Sequence, residues 1–166
     1  LLACRLLGLD KCPGVGELLR RLIAKVLICV AGLEAKQACG IVQLCAGLEG
    51  GIEGGIHAIN DLWDEHADEE NWGFLLIDAR NGFNGEERST ALWTIRHKWP
   101  AGAQFCFNCY QHWSILVVRG QNGTVFVLHS KNGFTQGDPI AMIAYGILLL
   151  PLIRSLKEEI PDVDQP

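Results

Sequence analysis

Phe74-Leu75-Leu76-Ile77-Asp78-Ala79-Arg80-Asn81-Gly82-Phe83-Asn84 is an apolar run that ends on a carboxylate and then on a turn. With Trp72 and Gly73 before it, the run has the length and flanks of a strand over residues 72–77, buried on both faces. Asn81-Gly82 is a turn signal. A carboxylate at the end of a buried strand is costly unless it is paired or binds a cation, which singles out Asp78. Carboxylates so placed hold Mg²⁺ together with substrate phosphates. The competing reading is an Asp that caps the Asn81-Gly82 turn. A two-metal clamp needs a second acid. Asp138 qualifies by type, but its place before Pro139 and a long helical stretch suits an N-cap better.

Downstream, residues 89–99 read as a helix stopped by Pro100, and 104–113 as another short helix. The β-rich runs 114–119 and 124–130 are joined by Gly120-Gln121-Asn122-Gly123, a hairpin signal. A long helix is expected over 138–159, disturbed at Pro151. Upstream, Leu18, Leu19, Leu22, Ile23, Val26, Leu27 and Val30 repeat at three- and four-residue steps. They predict an amphipathic helix over 16–30, stopped at Gly32, with a weaker piece over 34–37. Residues 47–56 form a small Gly-rich repeat. It lacks the Lys-Ser/Thr of a phosphate loop and reads as a glycine-tolerant helix start. A stripe from Ile52 to Trp63 continues it, beside an acidic, solvated face. Residues 1–15 show no regular pattern. Helices followed by mixed strands and helices give an α+β class with no domain boundary.

Composition narrows the function. The chain has 166 residues, 49% hydrophobic and 20% charged, which excludes wholesale disorder. Its net charge of −5 argues against a strongly basic nucleic-acid-binding domain but leaves room for a local basic groove. No apolar segment has spanning length or the layout of a signal peptide, so a soluble intracellular protein without membrane contact is expected. Seven scattered cysteines read as reduced thiols. Cys106-x-x-Cys109 with His112 has metal-like spacing but falls short of the four ligands of a zinc site, and helical spacing suits core residues equally. The chain starts with Leu1 and its sole methionine is Met142, so a fragment is expected.

Taken in order, these segments resemble the reverse transcriptase domain of non-LTR (LINE-type) retrotransposons. Residues 16–25 look like the helix of the fingers, and 43–59 like the segment that leads into the palm. Residues 74–84 resemble the polymerase A motif, and Thr135-Gln136-Gly137-Asp138-Pro139 the B motif. The resemblance implies a partial right-hand polymerase, fingers-like over about 1–70 and palm-like over about 71–166, with helices on an incomplete antiparallel sheet. It implies Asp78 as a catalytic, Mg²⁺-binding carboxylate, and Phe83 as the aromatic gate that crowds a ribonucleotide 2′-hydroxyl. Gln136 and Gly137 would contact the incoming nucleotide. Its partners would be an RNA template, a DNA primer and dNTPs.

The departures are specific. The family's aromatic-x-Asp-Asp motif is absent, since the chain contains no Asp-Asp. The Arg-Pro pair that precedes the fingers helix is replaced by Cys12-Pro13-Gly14. One carboxylate cannot hold two metals, so the chain alone is expected not to extend a primer. An open sheet edge and exposed apolar face predict self-association. The alternative is a non-catalytic RNA- or protein-binding remnant of the same fold, with Arg80, Arg88, Arg96 and Lys98 as a basic face.

Overall fold

The computed structural model describes residues 3–6, 14–16, 18–46, 49–120, 122–135 and 137–160. The class is α+β, and the core is made mainly by helices. Helix α1 (Leu18–Cys39) runs unbroken. The expected stop at Gly32 does not occur: Gly32 is buried in mid-helix, where an added Cβ would meet Ile28 at 3.2 Å. The two expected helical pieces are therefore one. The leucine stripe is not the buried face either. Arg20, Ala24, Gly32, Ala35 and Cys39 are buried, while Leu18, Leu19, Leu22, Ile23, Val26 and Val30 are exposed. Small residues allow close approach of two helices, and this face packs towards the later helices.

After two single 3₁₀ turns, helix α2 (Gly51–Glu65) starts inside the glycine repeat, behind Gly50 at φ 66°. The repeat is thus a helix start. A short turn α3 (Gly82–Gly85) leads to α4 (Arg88–Lys98) and α5 (Pro100–Tyr110). Pro100 both ends α4 and begins α5, a position that suits its fixed φ and missing N–H. Between them Trp99 is fully buried and donates its indole N–H to the Ala31 carbonyl at 2.9 Å. Helix α6 (Ala141–Glu159) continues through an exposed Pro151. Ile95, Trp99, Cys106, Tyr110, Phe134, Ile140, Ala144 and Ile147 form the centre of the core.

The sheet joins β1 (Ala3–Leu6), β2 (Gly14–Gly16), β3 (Ser114–Arg119) and β4 (Val125–Ser130) in the order β2-β1-β3-β4. The hairpin β3–β4 pairs from Ser114↔Ser130 to Arg119↔Val125, as its turn chemistry predicts. The expected incomplete antiparallel sheet is met by the β1–β2 and β3–β4 pairings but not by the third, in which β1 runs parallel to β3. The first two strands arise where no pattern was legible.

The expected strand over 72–77 is absent. Residues 72–79 form neither helix nor strand. Leu75, Leu76 and Ile77 are 80%, 85% and 72% exposed rather than buried on two faces. A strand needs a backbone partner, and no strand of the described sheet pairs with this run. Among the described residues, no helix is long and apolar enough to cross a membrane.

Candidate functional site

Asp78 lies on this segment without regular structure and is exposed. The turn that follows is built without it. Asn81 takes left-handed backbone angles (φ 56°), which Asn tolerates. The Gly82 N–H donates to the Ala79 carbonyl at 3.3 Å, and Asn84 Nδ2 donates to Asn81 Oδ1 at 2.8 Å. The turn-cap role for Asp78 therefore loses its purpose.

Phe83 is half-buried and stacks on Tyr145 of α6, with centroids 4.8 Å apart and planes at 29°. A side chain at position 82 would collide with the Tyr145 hydroxyl, so glycine is required there for the two to close. Burial first, then the carboxylates of Glu86 and Asp78, raise the Tyr145 pKa.

The backbone fastens the same contact. The Phe134 N–H donates to the Phe83 carbonyl at 2.6 Å, and the Gly133 N–H to the Glu86 carbonyl at 2.7 Å. Gly133 has φ 69°, and an added Cβ would overlap the Phe83 carbonyl oxygen. Two segments about 50 residues apart in sequence are thus bound edge to edge.

Of the B-like segment, Gln136 lies outside the described residues. Gly137 is exposed with φ 79°. Asp138 is buried, and its expected N-cap role is corrected: Ile140 is the N-cap of α6. Asp138 does accept the Ile140 N–H, at 3.2 Å. Its larger task is tertiary. Arg20 Nη2 donates to its Oδ2 at 2.5 Å, and the Tyr110 hydroxyl donates to the same oxygen at 2.7 Å. Arg20 also lies over the Tyr110 ring, 4.4 Å from its centroid. Burial works to lower the Arg20 pKa, but neighbouring Tyr110 and Asp138 outweigh it and the guanidinium stays charged. Burial, then the Asp138 carboxylate, holds the Tyr110 phenol well above its ordinary pKa, so it remains a donor. Asp138 is thereby consumed in structure and is unsuited to be the second metal acid.

Arg88 is also a structural hub. It is buried and donates to the carbonyls of Gly133, His112, Ser130 and Asn132 and to the Ser130 hydroxyl, at 2.7–3.1 Å. It therefore drops out of the basic face proposed with Arg80, Arg96 and Lys98. Cys106 and Cys109 belong to the core, and burial pushes the Cys106 thiol up to about 12. His112 is exposed. Among the described residues, no three His, Cys, Asp or Glu side chains converge to hold a metal.

The Arg20–Asp138–Tyr110 cluster was missed by sequence reasoning. Its one signal was Arg20 lying four residues before Ala24, on the small-residue face of α1 rather than the leucine face. No family model, curated protein or solved structure matches the chain.

Proposed function

We propose that the chain is part of a reverse transcriptase domain, an RNA-directed DNA polymerase of the non-LTR retrotransposon type. Residues 1–70 would be fingers-like and 71–166 palm-like. One observation carries the reading: the A-like turn docks on the segment that holds the B-like motif, through Phe83 on Tyr145 and two backbone hydrogen bonds. A nucleotide site of this class needs its carboxylate and its nucleotide-contacting loop on neighbouring strands of chain.

Asp78 would be the catalytic carboxylate, Phe83 the gate against a 2′-hydroxyl, and Gln136 and Gly137 the nucleotide-contacting loop. An exposed carboxylate beside a turn fits one ligand of a Mg²⁺ ion that keeps water and substrate phosphates as its others. It does not fit a two-ion clamp, because Asp138 is occupied by Arg20 and Tyr110. Bound Mg²⁺ would neutralise nucleotide phosphate charge. Asp78 would fix its position, and the Phe83–Tyr145 stack would limit the space at the sugar. RNA template, DNA primer and dNTP are the partners this reading requires.

The test is titration of the chain with dTTP and UTP in Mg²⁺, followed by calorimetry. The reading expects Mg²⁺-dependent dTTP binding, weakened about tenfold in Asp78→Asn, or ~1.4 kcal/mol. It expects discrimination against UTP to shrink in Phe83→Ala. Absent binding, or binding indifferent to Asp78→Asn, refutes it. Primer extension by the chain alone is expected to be nil. Extension that Asp78→Ala abolishes would keep the polymerase reading and overturn the expectation of inactivity.

A further inference from the structure

A cleft of about 410 Å³ opens between α4, α5, the residues 111–113 that lead into β3, and Lys131 just after β4. That volume is in the range of ligand pockets. Trp93, Phe107 and Trp113 line it, with Arg96 and Lys131 beside them. Trp93 is 64% exposed and Trp113 is 56% exposed. Neither ring belongs to the core. Lys131 Nζ sits 4.2 Å above the Trp113 ring, so cation and aromatic face are presented together. Arg96 and Lys131 are both exposed. One carboxylate, Glu87, also lines the cleft; it accepts from the Ser89 hydroxyl at 2.6 Å and the Thr90 N–H at 2.7 Å, and as an exposed anion it offsets part of the attraction that Arg96 and Lys131 exert on a phosphate.

Lys131 covers part of the Trp113 ring and His97 packs against Trp93 at 4.3 Å between centroids, so each indole has only its remaining exposed surface to offer. Exposed aromatic rings with flanking cations suit a ligand that is flat and apolar in one part and anionic in the next. Single-stranded nucleic acid has that alternation in every nucleotide: bases stack on aromatic rings and phosphates meet the cations. The chain's net charge of −5 repels a polyanion elsewhere, so attraction has to be local. We propose that this cleft binds a single-stranded nucleic acid segment, with a base stacked on Trp113 or Trp93 and adjoining phosphates on Arg96 and Lys131. The cleft shares no lining residue with Asp78, Phe83 or Tyr145 and stands independently of the polymerase reading.

The experiment is fluorescence anisotropy of a labelled dT12 oligonucleotide with the full chain, between 50 and 200 mM NaCl. Trp113→Ala and Trp93→Ala are each expected to weaken binding about tenfold, and Trp113→Phe to retain most of it. Lys131→Gln and Arg96→Gln are each expected to reduce the slope of log affinity against log salt by about 0.7. Arg154→Gln, on α6 outside the cleft, should change neither quantity. Tryptophan emission of the unaltered chain should be quenched by dT12, a readout that needs no variant to fold. No binding at 50 mM salt, equal losses in Arg154→Gln, or binding indifferent to both tryptophans overturns the proposal. So does displacement of dT12 by a proline-rich peptide whose own binding ignores salt, since that marks the cleft as a peptide groove.

Discussion

Truncating Asp138 to alanine is expected to destabilise the fold by about 3–5 kcal/mol. The carboxylate accepts three hydrogen bonds, from Arg20, Tyr110 and the Ile140 N–H. Arg20 is 2% exposed, and its Nε and Nη1 already lack partners. Removal of Asp138 leaves a buried guanidinium without its anion. Each lost charge-assisted hydrogen bond is worth ~1.5–3 kcal/mol, partly recovered by relaxation and water. Against a total stability of about 5–15 kcal/mol, the loss is a large fraction.

Thermal and urea denaturation followed by circular dichroism would measure it. For a chain of this size 1 kcal/mol moves Tm by about 2–4 °C, so a fall of about 6–20 °C is expected. The double variant Arg20→Met with Asp138→Leu should recover most of the stability, because both charges leave the interior together. A loss under ~1 kcal/mol in Asp138→Ala would refute the buried pair. A double variant as unstable as the single would show that shape, not charge, set the cost.

Other expectations follow from single contacts. The Ser89 hydroxyl and the Thr90 N–H hold the Glu87 carboxyl at about 2, against an ordinary value of 4.5. Its contribution is therefore complete above pH 4.5 and is lost as pH falls towards 2. Screening of this exposed cap limits it to ~1 kcal/mol, and Glu87→Gln should flatten that part of the pH–stability curve. Gly133→Ala should cost ~2–3 kcal/mol through its positive φ and the overlap with Phe83, read as a fall in Tm; a cost near zero would mean the two loops do not meet this closely. Iodoacetamide should label exposed Cys29 in the native chain and spare Cys39 and Cys106 until denaturant is added, as mass spectrometry would report. The uncovered apolar face of α1 should drive self-association, and a monodisperse monomer in light scattering would count against it.

How far the sequence was legible depends on the range of the interactions. Elements set by local chemistry were readable. The β3–β4 hairpin follows from its Asn-Gly turn, α4 from its stop at Pro100, and α2 from the stripe beginning at Ile52. Helix α5 was readable only in part: expected over 104–113, it spans Pro100–Tyr110, because Pro100 opens it as well as ending α4. The turn at Asn81-Gly82 was also readable, and it places Phe83. Features that depend on partners distant in the chain were not. Arg20 and Asp138 are 118 positions apart, and neither carries a mark of the other. In α1, periodicity located the helix but not its inward face. The leucines looked like the core side, whereas the alanines and Gly32 allow a closer approach to α6 and take that place.

The run 74–77 shows the same division at the candidate site itself. Its pattern specifies a wish for burial, and full burial of each of its large side chains would be worth ~1.5–3 kcal/mol. That gain needs a neighbouring backbone to satisfy the peptide groups at the same time. Strand β3 gives its two edges to β1 and β4 instead. What is fixed near Asp78 is consequently the turn after it, through the Phe83–Phe134 and Glu86–Gly133 hydrogen bonds. In the polymerase reading this makes the A-like turn, rather than the apolar run, the rigid support of the nucleotide site. Loosening the turn at Gly133 should then weaken Mg²⁺-dependent dTTP binding even though Gly133 touches neither ion nor nucleotide. An exposed substitution such as Leu76→Ser should leave both stability and binding almost unchanged.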